Sequence, residues 1–258
     1  GDKVEEADKT ELQSKIEALK EAIHYIEKGD IKYDNVVILD ADNIVKPSYL
    51  EKINDALYAG CSALQTHRVA KNRDSNIAVL DSVSEEINNS IFRKGHTRLG
   101  FSSALSGSGM AFEYELFKDI IQECHDIGED KYMERKLLLQ NVYIEYLEEV
   151  YTYDEKVRGK RDCDKLFQWM MPPRILLLGF IILIASFLTV LDFITSIKWW
   201  LLLVLLGITF SIAVPDYLVD RKFKKAIASV PVLFILMFLN IFRIGGHKFN
   251  PTKHSLKP

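Results

Sequence analysis

Apolar residues are spread along this 258-residue chain in two different ways. Up to about residue 170 they recur at spacings that predict alternating helices and strands. Leu12, Ile16, Leu19, Ile23 and Ile26 follow one another by four and by three, so they share one face of a helix. Val36, Val37, Ile38 and Leu39 form an unbroken apolar run, which predicts a central strand covered on both faces. Met133, Leu137 and Leu138 mark the apolar face of an amphipathic helix that opens near Glu129, and "VYTYDEKV", residues 150 to 157, reads as a strand with an acidic exit. Beyond Ile175 the periodicity disappears. From there to Ile194 run about twenty residues with Asp192 as the one charge, the length that crosses a hydrocarbon core. A link from Thr195 to Lys198 leads into a second apolar run, Trp199 to Pro215, with Trp199 and Trp200 at its edge as interfacial aromatics.

The pattern therefore predicts an α/β domain over residues 1–170 and a membrane domain over 171–258. The membrane domain has a hairpin of helices at about 175–194 and 199–219, then a third apolar helix at 227–244. Pro231 and Asn240 interrupt that third segment, and Arg243, Lys248, Lys253 and Lys257 follow it. An interfacial or re-entrant helix suits those features better than a spanning one. The cluster "DRKFKK", residues 220 to 225, is expected on the cytoplasmic side. Two crossings then return the chain to the side of the first domain, so the expectation is a multi-pass protein of an inner or plasma membrane with a cytoplasmic α/β domain. A net charge of -3 offers nothing to nucleic acid. Cys61, Cys124 and Cys163 are too few and too scattered for a disulfide framework and fit a reducing compartment. His67, His96, His125, His247 and His254 lack ligand spacing. The first strand-like run arrives only at Val36, behind a helix, so a front portion of the domain is expected to be absent.

Chemistry enters at the end of that strand. Asp40 and Asp42 stand where ligands bind in open α/β sheets, at a strand's carboxyl end. If the segment stays extended, residues i and i+2 point the same way and offer paired oxygen ligands to a hard cation. The same "DADN" is also a good turn sequence. "SALSGSGMAF", residues 103 to 112, carries Gly107 and Gly109 in a small-residue loop that lets backbone approach a ligand. Glu129 and Asp130 follow a glycine at a helix start, where acidic residues also serve as ordinary companions of the helix dipole. Arg68, Lys71 and Arg73 read as a solvated edge.

Taken in order, a strand ending in Asp-x-Asp, a Gly-Ser-Gly loop, Glu-Asp at a helix start and membrane helices resemble the membrane-bound family 2 glycosyltransferases. That group includes the synthases of cellulose, hyaluronan and poly-N-acetylglucosamine. The resemblance runs from about Ser14 to the carboxyl terminus and takes in Lys15 with "EAL", "ALQTHRVAKN" at 63 to 72 and "YDEKV" at 153 to 157. It implies a partial GT-A-type nucleotide-sugar transferase domain and a one-step inverting transfer from a nucleotide diphosphate sugar, a uridine diphosphate sugar in the first instance. The acceptor would be a hydroxyl on a glycan or lipid, as in polysaccharide biosynthesis. By resemblance Asp40, Asp42 and Lys15 belong to the donor site, with Asp42 holding Mg²⁺ or Mn²⁺. Asp130 is the general base with Glu129 as its neighbour, and Gly107, Ser108 and Gly109 border the acceptor. The family's Gln-x-x-Arg-Trp is represented by "KLFQW", residues 165 to 169, in which Trp169 is kept while Lys165 replaces Gln and Gln168 replaces Arg. The loss of that arginine removes a bidentate phosphate donor. Two alternatives remain: a truncated, catalytically impaired membrane scaffold of the same fold, and a haloacid dehalogenase-type phosphatase, whose first aspartate would be a nucleophile.

Overall fold

The computed structural model describes residues 2–124, 128–155 and 172–241, which fall into two compact units. The first contains residues up to 69 and 91–154; the second contains 70–90 and the helices from residue 172 onward. Residues 70–90 group with the carboxyl-terminal helices.

In the first unit helix α1 (Asp2–Glu27) precedes strand β1 (Asn35–Ile38), and β2 (Ile44–Val45), α2 (Tyr49–Tyr58) and β3 (Ala63–Ala70) follow. Helix α3 (Asn76–Asn88) belongs to the second unit; a π-helical turn (Asn89–Gly95) and the short α4 (His96–Arg98) come next. Strand β4 (Met110–Glu113), α5 (Tyr114–Glu123), α6 (Glu129–Leu139) and β5 (Ile144–Asp154) complete the unit. The strands form one sheet in the order β1-β4-β3-β5-β2. Strand β4 is antiparallel to both neighbours, with Ile38 opposite Met110 and Gln65 opposite the same residue, and β2 is antiparallel to β5.

Two apolar clusters hold this sheet. On one face Ile16 and Ile23 of α1, Phe117, Ile120 and Ile121 of α5, and Met133 and Leu137 of α6 pack with Ile38, Ala63, Met110, Phe112 and Ile144. On the other, Tyr49, Ile53 and Leu57 of α2 pack with Leu64, Ala111 and Val150, and Val37 joins them. The alternation of Ile38 and Val37 between the faces explains why β1 is apolar throughout. Its expected central place is corrected: β1 lies at an edge of the sheet, and Leu39 beyond it is 37% exposed. Side-chain pattern reports which faces are covered, whereas lateral neighbours depend on backbone hydrogen bonds that leave no mark on composition. Leu138 is likewise corrected, since at 66% exposed it lies off the face that Met133 and Leu137 bury.

In the second unit α7 (Pro172–Leu191) and α8 (Phe193–Ala213) are the two helices long and apolar enough to cross a membrane among the described residues. The break between them falls at Asp192, not at Thr195–Lys198. The Asp192 carboxylate accepts the backbone N–H groups of Ile194 and Thr195 at 3.1 and 3.2 Å, so it caps α8, and helix continues through the expected link. Trp200 thus lies inside α8 and donates to the Thr189 hydroxyl at 3.1 Å. The third apolar segment is divided. Helix α9 (Arg221–Ala228), capped by Asp220 on the Phe223 N–H, ends at Ser229, and α10 (Val230–Ile241) follows. Arg73 pairs with Asp220 at 3.3 Å, and Arg174 donates to the Ser84 hydroxyl at 2.5 Å.

Phe112, 1% exposed and stacked on Phe117 with centroids 5.6 Å apart, is the aromatic centre of the first cluster. Phe112→Ala is expected to destabilise the first unit by about 3–5 kcal/mol through lost burial and the remaining cavity, read as a lower denaturant midpoint.

Candidate active site

The segment after β1 does not stay extended. The Asn43 N–H donates to the Asp40 carbonyl at 3.0 Å, closing a tight turn over Asp40–Asn43, for which Asp in first place is a favoured residue. The expected same-side pair of carboxylates is therefore corrected, and the two acids go to different partners. Asp40 faces Lys15 of α1, whose Nζ lies 3.1 Å from Asp40 Oδ1. Asp42 Oδ1 accepts from the Asn43 side-chain amide at 3.3 Å.

Lys15 is the meeting point of three distant segments. Besides Asp40, its ammonium contacts Glu129 Oε1 at 2.8 Å and donates to the Gly107 carbonyl at 3.1 Å. The Asp-x-Asp turn, the Gly-Ser-Gly loop and the start of α6 thus converge on one cation. Glu129 is 4% exposed, and this ammonium is its buried counter-charge. Burial works against charge on Lys15, but the carboxylates of Asp40 and Glu129 outweigh it and hold the ammonium above the ordinary lysine range.

The Gly-Ser-Gly loop is fixed from several sides. Gln65, buried on β3, accepts from the Ser106 N–H at 3.0 Å and donates to the carbonyls of Ser108 and Gly109 at 2.9 and 3.2 Å. The Ser108 hydroxyl accepts the Asp40 N–H at 3.0 Å, and Gly109 donates to the Ile38 carbonyl at 2.9 Å. Glu134 of α6 accepts from the Leu105 N–H at 3.0 Å. Gly109 has φ +67°, and a Cβ there would lie 2.8 Å from Thr152 Oγ1 and closer still to Thr66 Oγ1. Those two hydroxyls form a buried triad with Tyr49, whose OH lies 3.3 Å from Thr66 Oγ1 and 3.0 Å from Thr152 Oγ1.

Of the Glu-Asp pair, Glu129 reaches Lys15, whereas Asp130 accepts from the backbone N–H of Lys131 at 2.8 Å. Burial raises the Asp130 carboxyl above the ordinary aspartate range, an effect that the Lys131 N–H offsets in part. The left-handed Gly128, φ +98°, precedes this first turn. Gln168 and Trp169 lie outside the described residues, as do Lys165 and the end of "YDEKV". An open cleft lined by Ile26, Tyr33, Leu57, Tyr58 and Lys118 contains none of these site residues. Three contributors escaped the sequence reading. Asn43 was legible only as part of a turn, and Asp154 only as a strand exit. Arg68 is corrected: instead of lying on a solvated edge, it is 8% exposed and paired with Asp154 at 2.5 Å.

One helix-covered, five-stranded sheet presents these three elements together, and the family match that follows implies the GT-A-type α/β fold of a glycosyltransferase. The model of the glycosyltransferase-like family 2 matches residues 2–169, and the chain belongs to that family. The match supports glycosyl transfer, generally inverting and metal-dependent, and sets aside the phosphatase alternative. No curated protein matches the chain.

Lys15→Met is expected to destabilise the first unit by about 1–3 kcal/mol, because it leaves the buried Glu129 charge without its cation. The loss should shrink when Glu129→Gln is added, which a double-mutant comparison of unfolding midpoints measures. Gly109→Ala should cost about 1–3 kcal/mol or more from strain at positive φ and overpacking against the two threonines, measured in the same way.

Proposed function

We propose that the chain is the catalytic and anchoring part of a membrane-bound, inverting glycosyltransferase akin to polysaccharide synthases. It would transfer a sugar from a uridine diphosphate sugar to a hydroxyl of a glycan or lipid. The observation that carries this reading is the convergence of Asp40, Gly107 and Glu129 on Lys15, since a donor and an acceptor must be brought together there for a one-step transfer. In this reading α7 and α8 anchor the protein in a cell membrane, and the positive start of α9 keeps the catalytic domain on the cytoplasmic side.

Among the described residues no group of three or more His, Cys, Asp or Glu side chains is gathered to hold a metal ion. The fit is that of a shared site. Asp42 would offer a carboxylate from a half-buried turn, and the donor's diphosphate oxygens would complete an all-oxygen set suited to Mg²⁺ or Mn²⁺. A cation held there would supply positive charge to offset that developing on the departing diphosphate. Lys15 contributes positive charge beside Asp40 and orients Glu129. Asp130 takes the proton from the acceptor hydroxyl, a task for which a carboxyl raised by burial is better matched than an ordinary aspartate. Gly107, Ser108 and Gly109 shape the acceptor side through backbone groups, and Gln168 and Trp169 complete it by resemblance.

Calorimetric titration of the chain in detergent with uridine diphosphate is expected to show Mn²⁺-dependent binding that Asp42→Asn weakens at least about tenfold. Unchanged binding in the variant would sink the assignment of Asp42. Asp130→Asn should lower turnover by about 10²–10⁴-fold. Because burial raises the Asp130 pKa, the base form is lost on acidification at a higher pH than for a free aspartate. The acid limb of kcat/KM should therefore lie above 3.8. The same sign predicts that whatever stability the Asp130 carboxyl contributes is present at low pH and lost as pH rises through its folded-state pKa. Asp130→Asn should therefore unfold at a slightly higher temperature than the parent at neutral pH, by differential scanning.

A further inference from the structure

A second polar cluster links the same elements without passing through Lys15. Arg68 on β3 and Asp154 at the end of β5 are each 8% exposed. They pair at 2.5 Å, and Arg68 Nη1 also donates to the Ser106 carbonyl at 2.6 Å. Asp154 Oδ1 accepts from Asn43 Nδ2 at 3.4 Å, and the same amide nitrogen donates to Asp42 Oδ1 at 3.3 Å. The other end of that amide, Asn43 Oδ1, accepts the Asp40 N–H at 3.2 Å and the Ser108 hydroxyl. A continuous run of charged and amide groups therefore leads from the Asp42 carboxylate, through Asn43, Asp154 and Arg68, to the backbone of the Ser106–Gly109 loop.

The chemistry of the members makes this run directional. An amide NH₂ has two hydrogens, and Asn43 gives one to each of two carboxylates. A cation drawn to Asp42 competes for the oxygen lone pairs that accept one of them. The guanidinium of Arg68 is planar and forked, so its bond to Asp154 and its bond to Ser106 share one orientation. In a buried network each bond polarises the next, and a change at one end is felt along it.

We propose that Asn43, Asp154 and Arg68 are positioning residues that couple the Asp40–Asn43 turn to the Ser106–Gly109 loop, so that a change at either is transmitted to the other. The consequence for catalysis, that donor binding at Asp42 orders the acceptor loop, rests on the transferase reading above. The coupling itself does not.

Hydrogen–deuterium exchange of the full chain in detergent tests both levels, with peptides covering 38–47, 103–112 and, as a reference, α5. In the ligand-free protein Arg68→Lys, which cannot reproduce the fork, is expected to speed exchange by about tenfold in 103–112 and, at a distance, in 38–47, with α5 unchanged. Asn43→Ala should produce the same paired loosening from the opposite end. Loosening of 103–112 without 38–47 in Arg68→Lys, or of 38–47 without 103–112 in Asn43→Ala, overturns the coupling. If Arg68→Lys also loosens α5, its fold has failed, and Asp154→Asn, which keeps the side-chain shape, decides together with Asn43→Ala. With Mn²⁺ and uridine diphosphate at saturation, the parent chain should gain protection in 103–112 and Asn43→Ala should not, a response that a merely structural role would not abolish. Protection that survives in Asn43→Ala overturns the relay. Failure of the parent chain to bind Mn²⁺ and uridine diphosphate overturns the donor reading alone, and the ligand-free comparison still decides the coupling.

Discussion

One ammonium group sets the geometry of this site. Lys15 comes from a helix that precedes the first strand, yet its Nζ touches Asp40, Glu129 and the Gly107 carbonyl. Like charges such as Asp40 and Glu129 repel when brought close and lose hydration when buried, so their approach needs a cation between them. The arrangement explains why α1 must lie against the sheet. Ile16, next to Lys15, and Ile23, two turns on, bury into the same cluster as Ile38 and Phe112, and that anchoring places the ammonium. Core packing and site chemistry are thus joined in successive residues of one helix.

The glycine loop shows the same economy. Gln65 and the Thr66 hydroxyl of β3 bond its backbone, Tyr49 and Thr152 complete the hydroxyl triad behind Thr66, and Lys15, Glu134 and the Asp40 N–H engage it from other segments. A loop with so few apolar side chains has little burial to hold it, and its conformation rests on hydrogen bonds to rigid strands. Left-handed backbone at Gly107 and Gly109 lets their carbonyls meet Lys15 and Gln65 in directions that other residues rarely allow.

Membership in the glycosyltransferase-like family 2 places these features in a common chemical frame, and the second unit adds what that frame does not require. Helices α7 and α8 are long and apolar, and residues 70–90 are grouped with them. Arg174 at the start of α7 is bonded to Ser84 of α3, so a polar contact ties the apolar helices to a segment drawn from the middle of the chain.

Much of this was legible from residue order alone. Periodicity located α1 and α6, the apolar run located β1, "VYTYDEKV" overlaps the end of β5, and length and hydropathy located the two long apolar helices. These features depend on local spacing, which the chain carries without reference to its partners. Other features needed three dimensions. The edge position of β1 and the burial of Arg68 depend on which segments become neighbours, and the closing of Asp40–Asn43 into a turn was one of two conformations that "DADN" allowed. The break at Asp192 depended on a side chain turning to cap a helix where hydropathy changed little. Resemblance singled out Lys15, but its pairing with Glu129, and the pairing of Arg68 with Asp154 across 86 positions of sequence, rest on long-range electrostatics. A charge's partner is fixed by distance in space and by the loss of water around it, and neither quantity is written in the spacing of residues along a chain.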